Sequence, residues 1–309
     1  MSLKNRGGGI DSRIVRYRDF GTLKYLLRSI DKFAPWVRNV YLVTCDQKPE
    51  WLNISHPKLK LVSQNSFIPS EYSPTFNSNA IELNFHRIEG LSENFVYFND
   101  DMLLTAPTCP EDFFKNDMPC ECFGLNLTSP IEMTYSFTLF NCFYLLNKHF
   151  NIKKQLRLHH RKCFSLKNGI KSVLKTLLLV RLRKINGLRY DHMPFPLKKS
   201  AYNVVWEKEG DWCAETSSHK LRSKDDMTWW VMGFWPILDG KFNPRSANFG
   251  HYYTMHDFVT NKKTVKILKS HKYKCICVND NDVVDFESEK KEFESRIAMI
   301  LGEKSSFEI

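Results

Sequence analysis

Apolar residues recur at two different periods in the first hundred positions, and the alternation between them constrains the fold more than any single motif. Leu23, Leu26, Leu27 and Ile30 follow helical spacing in DFGTLKYLLRSIDKFAPW, and Pro35 marks the stop. NVYLVT at residues 39–44 then has the β-branched, uncharged character of a short buried strand, and LKLVS at residues 59–63 that of another. Between them DQKPEWLNISHPK supplies the proline and asparagine of an irregular connection. SNAIELNFH, residues 78–86, opens polar and continues with helical spacing before Gly90 leads into NFVYF. Helix and strand taking turns predict an α/β fold: a largely parallel sheet with helices on its faces.

Ligands of such sheets sit outside the carboxyl ends of the strands, where loops converge on one crevice. NFVYFNDDMLL, residues 94–104, puts Asn99, Asp100 and Asp101 at that end of its strand. Neighbouring carboxylates repel unless a positive charge lies between them. Two carboxylates beside a carboxamide form an oxygen-rich set that suits a hard divalent cation, Mg2+ or Mn2+, which keeps positions open for phosphate oxygens. The plainer alternative is a cap or turn, where Asn and Asp are common. KYKCICVNDND, from Lys272, repeats the design, with a strand over residues 273–278 that ends on Asn279, Asp280, Asn281 and Asp282.

A chain of 309 residues that is 42% hydrophobic can bury a sizeable core. No run of about 18 apolar residues occurs, so no spanning helix is expected. MSLKNRGGGIDSR lacks the apolar centre of a signal peptide, and the nine cysteines, an odd number without C-x2-C repeats, read as reduced, mostly buried thiols. A cytoplasmic location is the simplest expectation, and the inner face of the cell membrane is compatible with it.

Forty-five Lys and Arg against 34 Asp and Glu give a net charge of +11, a balance that favours anionic partners. Residues 151–190 hold twelve Lys or Arg and no Asp or Glu, and read as a basic helical insertion between core segments at 14–150 and 191–309. In KSVLKTLLLVRLRK the apolar residues cluster as in a helix that buries one face and leaves Lys171, Lys175, Arg181, Arg183 and Lys184 for solvent or an anion. Nucleic-acid readers of the stacking type interleave aromatics with cations, and Phe164 and Tyr190 alone do not, so nucleic acid is not expected. Contact with an anionic membrane surface stays open for a basic amphipathic helix. An ordinary solvated helical face is the plainer reading of the composition, ahead of any one of these partners.

Two further residues stand out. His192 lies beside Asp191 in YDHMPFPLKKS, a loop stiffened by Pro194 and Pro196 that can hold an imidazole in a working position. Arg222 in HKLRSKDDM precedes a helical pattern, where a guanidinium can fork onto phosphate oxygens or pair with Asp225 or Asp226. NRGGG has no Gly-Lys-Ser or Gly-Lys-Thr after it and no strand before it, so it is a lead-in and not a phosphate loop. Serine hydrolase and zincin motifs do not occur.

Taken together, RYRDFGTLKYLLRSIDKFAPWVRNVYLVT, PTFNSNAIELNFHRIEGLSENFVYFNDDM, HMPFPLKKS with HKLRSKDDM, and KYKCICVND resemble, in order, the successive blocks of the stealth family of sugar-phosphate transferases. That family includes bacterial capsular polysaccharide phosphotransferases. The resemblance implies a Rossmann-like nucleotide-sugar transferase core that moves a sugar 1-phosphate from a nucleotide diphosphate sugar to a glycan hydroxyl in capsular or cell-surface polysaccharide synthesis. Position by position it implies active-site roles for Glu82, Asn99, Asp100 and Asp101, then for His192 and Arg222, with Arg161 at a basic position upstream. Asp100 and Asp101 would hold Mg2+ or Mn2+; Asn99, Arg161 and Arg222 would bind the donor; Glu82 or His192 would take the acceptor proton. One departure stands: the family's first block, an aromatic-Val-Asp/Asn-Gly sequence on the first strand, has no counterpart in MSLKNRGGGIDSRIV, which bears on the nucleotide-sugar pocket. The alternatives are a metal-dependent glycosyltransferase that moves the sugar without its phosphate, and an inactive relative that binds carbohydrate or membrane.

Overall fold

The computed structural model describes residues 18–129, 134–280 and 283–309. The glycine-rich lead-in, Asn281 and Asp282 lie outside them. Gly21 opens the first helix, α1 (Thr22–Phe33), at a φ of +73°, a left-handed conformation that a side chain would resist. The helix buries Leu26, Leu27 and Ile30 of the expected apolar stripe, with Leu23 partly buried and Phe33 added to it, and ends before Pro35. β1 (Val40–Thr44) and β2 (Leu59–Ser63) pair in parallel, Val40 opposite Leu59. α2 (Ser78–Glu82) is capped by Asn77, whose side chain accepts from the Asn79 amide, and it gives way after one turn to a tighter coil at Phe85–Arg87. β3 (Asn94–Tyr97) runs into a turn closed by the Met102 amide on the Asn99 carbonyl, 3.1 Å, and the chain resumes as β4 (Met102–Leu104).

Two short strands follow, β5 (Phe114–Lys115) and β6 (Met118–Glu121), then the helices α3 (Thr134–His149), α4 (Ile152–Leu158), α5 (His160–Cys163) and α6 (Ile170–Leu179). β7 (Phe195–Lys198) returns the chain to the core ahead of α7 (Lys199–Ser218) and α8 (Trp230–Leu238). The last part is β8 (Asn243–Pro244), β9 (Gly250–Thr254), α9 (Met255–Thr260), α10 (Thr264–Lys269), β10 (Cys275–Asn279) and α11 (Phe286–Leu301).

The fold is mixed α/β, but among the described residues the strands form four small sheets and not one largely parallel sheet. β3 pairs antiparallel with β7, and β4 antiparallel with β10, which is itself parallel to β9. Local alternation foresaw β1 and β2. It could not foresee partners for β3 and β4 that come from beyond residue 190, because pairing of distant strands leaves no local pattern.

Two apolar clusters make the core. One gathers α3, α7 and α8 around Tyr202, Trp229 and Trp230, and takes in Ile152, Leu156 and Leu179 of the basic segment. The other joins α1, β4, β10 and α11 through Leu27, Leu103, Ile276 and Phe293. β3 lies between them: Phe95 and Tyr97 pack on the first, Val96 and Phe98 on the second, as alternate side chains of a strand must. Its carboxyl end therefore emerges at the junction of the two clusters.

α6 departs from expectation. Its buried positions include Thr176 and Leu179, while Ile170, Leu174, Leu177 and Leu178 are exposed together with Lys171 and Lys175. Polar Thr176 is inward because its hydroxyl accepts from the Leu125 amide at 3.0 Å, so the docking of this helix follows hydrogen bonding as well as apolar spacing. No helix among the described residues is long and apolar enough to cross a membrane.

Candidate active site

The acid rim forms where β3 ends. Asp101 Oδ2 accepts from Asn279 Nδ2 at 2.8 Å and from the Cys277 thiol at 3.3 Å. Cys277 and Asn279 are two residues apart on β10 and so share one face of that strand. His192 Nε2 stands 3.5 Å from Asp101 Oδ2 and 3.4 Å from Asn99 Nδ2, and its Nδ1 contacts the Tyr190 hydroxyl at 3.1 Å. The loop before β7 thus delivers His192 onto the rim; Pro194 belongs to that loop, whereas Pro196, expected there as well, lies inside β7.

Burial pushes the Asp101 carboxyl up, yet hydrogen bonding and charge from His192, with the Asn279 and Cys277 hydrogen bonds, outweigh it and hold Asp101 below the usual carboxylate range. Asp100 shifts the other way. It stands at the mouth, reached by solvent but crowded by protein, and that crowding, followed by the charge of Asp101, raises it. Two adjacent carboxyls with opposed shifts differ in readiness to carry charge.

Glu82 ends α2 on the opposite wall. Its carboxyl is pushed up to about 7, first by burial; a hydrogen bond from the Tyr97 hydroxyl at 2.8 Å and the charges of Arg222 and His192 pull against that rise. A carboxyl of this kind accepts and releases a proton near neutral pH. Arg222 is placed by Ser78 at the other end of the same helix, its Nη2 donating to Ser78 Oγ at 2.6 Å and its Nε at 3.2 Å.

Asp226, fully buried, fixes this wall. It accepts from Asn77 Nδ2 at 2.8 Å, Asn79 Nδ2 at 3.0 Å and the Ser223 amide at 3.0 Å, while its other oxygen meets His219 Nδ1 at 2.6 Å. One carboxylate therefore ties α2, which carries Glu82, to the loop that carries Arg222. In the sequence Asp226 was a candidate surface partner of Arg222; in the fold its partners are amides and an imidazole.

A cavity of about 840 Å³ opens beside the rim, walled by α1, β1 and β3, with Ser78, Glu82, Asn99 and Asp100 at its polar end. Glu82, Asn99 and Asp100 line this cavity; Arg222 adjoins it through Ser78, and Asp101 and His192 adjoin it through the His192 contact to Asn99. Arg161 is separate: it is exposed on α5, whose Lys162 binds the Gly240 carbonyl at 2.7 Å, and no hydrogen bond or ion pair among the described residues joins Arg161 to the rim. Arg18 is a cation the sequence did not single out. It forks onto Asp280 at 2.9 and 3.1 Å, at the end of β10 next to Asn279.

Two donor sets can be tested for a metal. Asp101, His192 and Cys277 each present one ligand atom within 4.8 Å of the others, a mixed set of the kind that softer ions accept. Asp101 Oδ1, in contrast, is buried and has no hydrogen-bond partner among the described residues, and together with the Asp100 carboxyl it offers the oxygens that a hard cation takes. An orphaned buried carboxylate oxygen is costly unless something positive meets it, so the residues fit a divalent cation.

Residues 16–121 match the model of the Stealth protein CR2, conserved region 2. The chain is 41% identical over 296 residues to the receptor polysaccharide phosphotransferase WefC of Streptococcus gordonii, covering 95% of this chain and 87% of the relative. It is 38% identical to the exopolysaccharide phosphotransferase cps2G of Lactiplantibacillus plantarum, with 95% and 87% covered. To a capsular polysaccharide phosphotransferase, WcwK, of Streptococcus pneumoniae it is 37% identical, with 96% and 89% covered. These relatives define a class, the phosphotransferases. The chain belongs to the stealth family, as the resemblance of its blocks implied.

Proposed function

We propose that the chain transfers a sugar 1-phosphate from a nucleotide diphosphate sugar to a hydroxyl of a growing capsular or other cell-surface polysaccharide, releasing a nucleoside monophosphate. The observation that carries this reading is a cluster around one cavity: Glu82, with its carboxyl raised to about 7, lines it with Ser78, Asn99 and Asp100, Arg222 donates to Ser78, and Asp101 meets His192, which also touches Asn99. A base, an anion clamp and a cation site are what phosphoryl transfer asks of a protein, since positioning and charge neutralisation do most of the work.

In the proposed step the acceptor oxygen bonds to the phosphorus that carries the sugar, and the bond from that phosphorus to the bridging oxygen of the diphosphate breaks. The electron pair leaves with the nucleoside monophosphate, and the acceptor proton passes to Glu82. Arg222 clamps phosphate oxygens, and Asn99 orients the donor. His192 stays against Asp101 and positions it. Arg161 has no part in this reading.

Mg2+ or Mn2+ would be held by Asp101, through Oδ1, and by Asp100. When bound, the ion neutralises charge on the phosphate oxygens. The core is read as Rossmann-like, with β1 and β2 as its parallel pair and the rim at its carboxyl edge. A cytoplasmic site of action agrees with nine cysteines that are all free.

Mass spectrometry of products from a panel of nucleotide sugars with an oligosaccharide acceptor tests the reading. Nucleoside monophosphate and a phosphodiester-linked sugar are expected. Nucleoside diphosphate with a plain glycosidic product would replace the proposal with a glycosyltransferase.

A further inference from the structure

The exposed side of α6 is more apolar than its buried side. Ile170 is 66% exposed, Leu174 60%, Leu177 51% and Leu178 63%, whereas the inward positions include Thr176 and Leu179. At 100° per residue the four exposed side chains fall within about 100° of arc, opposite Thr176 and Leu179. Leu166 in the turn before the helix and Leu182 in the turn after it are also exposed, at 75% and 51%. An aqueous surface does not ordinarily line up four large apolar side chains on one helix, with two more exposed in the adjoining turns.

Charge around the stripe is of one sign. Lys171 and Lys175 flank it, Lys167 precedes it, and Arg181, Arg183 and Lys184 follow, all exposed. Residues 151–190 include no acid to neutralise them. A second copy of this chain would bring the same cations face to face, and repulsion opposes that occupant. A zwitterionic surface would satisfy the leucines and leave the cations without partners. An anionic lipid surface satisfies both, with side chains sunk at the headgroup boundary and ammonium and guanidinium groups against phosphates.

We infer that α6 and its flanking turns are a docking face for an anionic lipid bilayer. The chain lies on the membrane through this face and does not cross it. Docking reaches the catalytic cleft through a short path: ten residues after Leu182 the chain arrives at His192, and Arg189 fastens that path by donating to the Asn168 carbonyl at 2.7 Å, next to the start of α6. The inference is independent of the chemistry proposed above, because it rests on a surface outside the cleft.

The test is co-sedimentation of the full chain with vesicles of equal parts phosphatidylglycerol and phosphatidylcholine, compared with vesicles of phosphatidylcholine alone. Binding to the anionic vesicles is expected, weakened about fivefold for each cation removed at Lys171 or Lys175. Leu174→Ser with Leu178→Ser should weaken it at least about tenfold. Both positions are exposed, so circular dichroism and turnover of a soluble acceptor should match the parent. Absence of binding by the parent chain, equal binding to both vesicle types, or undiminished binding by the double variant would each overturn the inference. So would sedimentation-velocity evidence that the stripe is covered by a second copy at micromolar concentration.

Discussion

The Tyr97 hydroxyl donates to Glu82 Oε1 at 2.8 Å, across a gap of fifteen residues, and this bond favours the charged carboxylate that burial opposes. Removing it with Tyr97→Phe leaves burial unopposed by that donor, so the Glu82 carboxyl rises further. A base works only when deprotonated. The acidic limb of the rate profile, expected near pH 7 in the parent, should therefore move to higher pH in the variant, as a pH series of initial rates would register. A limb that stays in place would exclude Glu82 as the base.

Glu82→Gln separates function from stability. The folded carboxyl binds its proton up to about 7, whereas the unfolded one releases it near 4.5, so the native state loses stability as pH rises through that window. Glutamine carries no such charge. The variant should lose about 10²- to 10⁴-fold in turnover, yet melt higher than the parent at pH 8 and gain little at pH 4. Paired thermal scans at the two pH values check both signs.

Asp101→Asn keeps size and shape and removes the charge. Mn2+ binding followed by electron paramagnetic resonance should weaken markedly, and turnover should fall by about 10²-fold or more. Zinc serves as the control ion. If Zn2+ binds more tightly than Mn2+ and Cys277→Ser abolishes its binding, the mixed Asp101, His192 and Cys277 set is the metal centre, and the oxygen set is not.

How much of this was legible beforehand follows the reach of local pattern. Asn99, Asp100 and Asp101 could be placed at a strand end because β3 and the residues that stop it are contiguous. The partners that define Asp101 could not, since Cys277 and Asn279 lie 176 and 178 residues away and only the pairing of β4 with β10 makes them neighbours. The repeated strand-then-acid design at residues 272–282 was a usable signal for that pairing. Periodicity found the apolar stripe of α6, but periodicity says nothing about which side meets protein, and here a threonine hydrogen bond helps set the orientation. Asp226 was hidden for a different reason: beside Asp225 in a polar loop, nothing in the residue string distinguishes a buried acceptor from a solvated acid.

Asp226→Ala should cost roughly 3 kcal/mol in urea denaturation, because buried donors at Asn77, Asn79 and Ser223 lose their acceptor. At temperatures where the variant is folded, KM for the nucleotide sugar should rise through misplaced Arg222. Asp226→Asn, which keeps one acceptor oxygen, should recover part of both losses.

A last prediction concerns the chain's end. Arg28 forks onto Glu308 at 2.7 and 2.8 Å and also reaches the Leu301 and Gly302 carbonyls, tying α1 to the C-terminus. Burial raises the Glu308 carboxyl, but hydrogen bonds from Arg28 and Ser305 prevail and lower it to about 2. The stabilisation is complete above the unfolded value near 4.5 and disappears as pH falls toward 2. Glu308→Gln should lose roughly 2 kcal/mol at pH 7 and flatten the acid side of the stability curve.

The buried carboxylate of Asp226 has a geometric meaning as well. Glu82 and Arg222, the proposed proton acceptor and phosphate grip, hang from a single post, joined by side chains from positions 147 and 149 residues apart, so moving one end of the span disturbs the other. The width of substrate that this wall admits is thereby written into one hub, and a chain that adapted to a broader donor would have to rebuild that hub before it altered either hand.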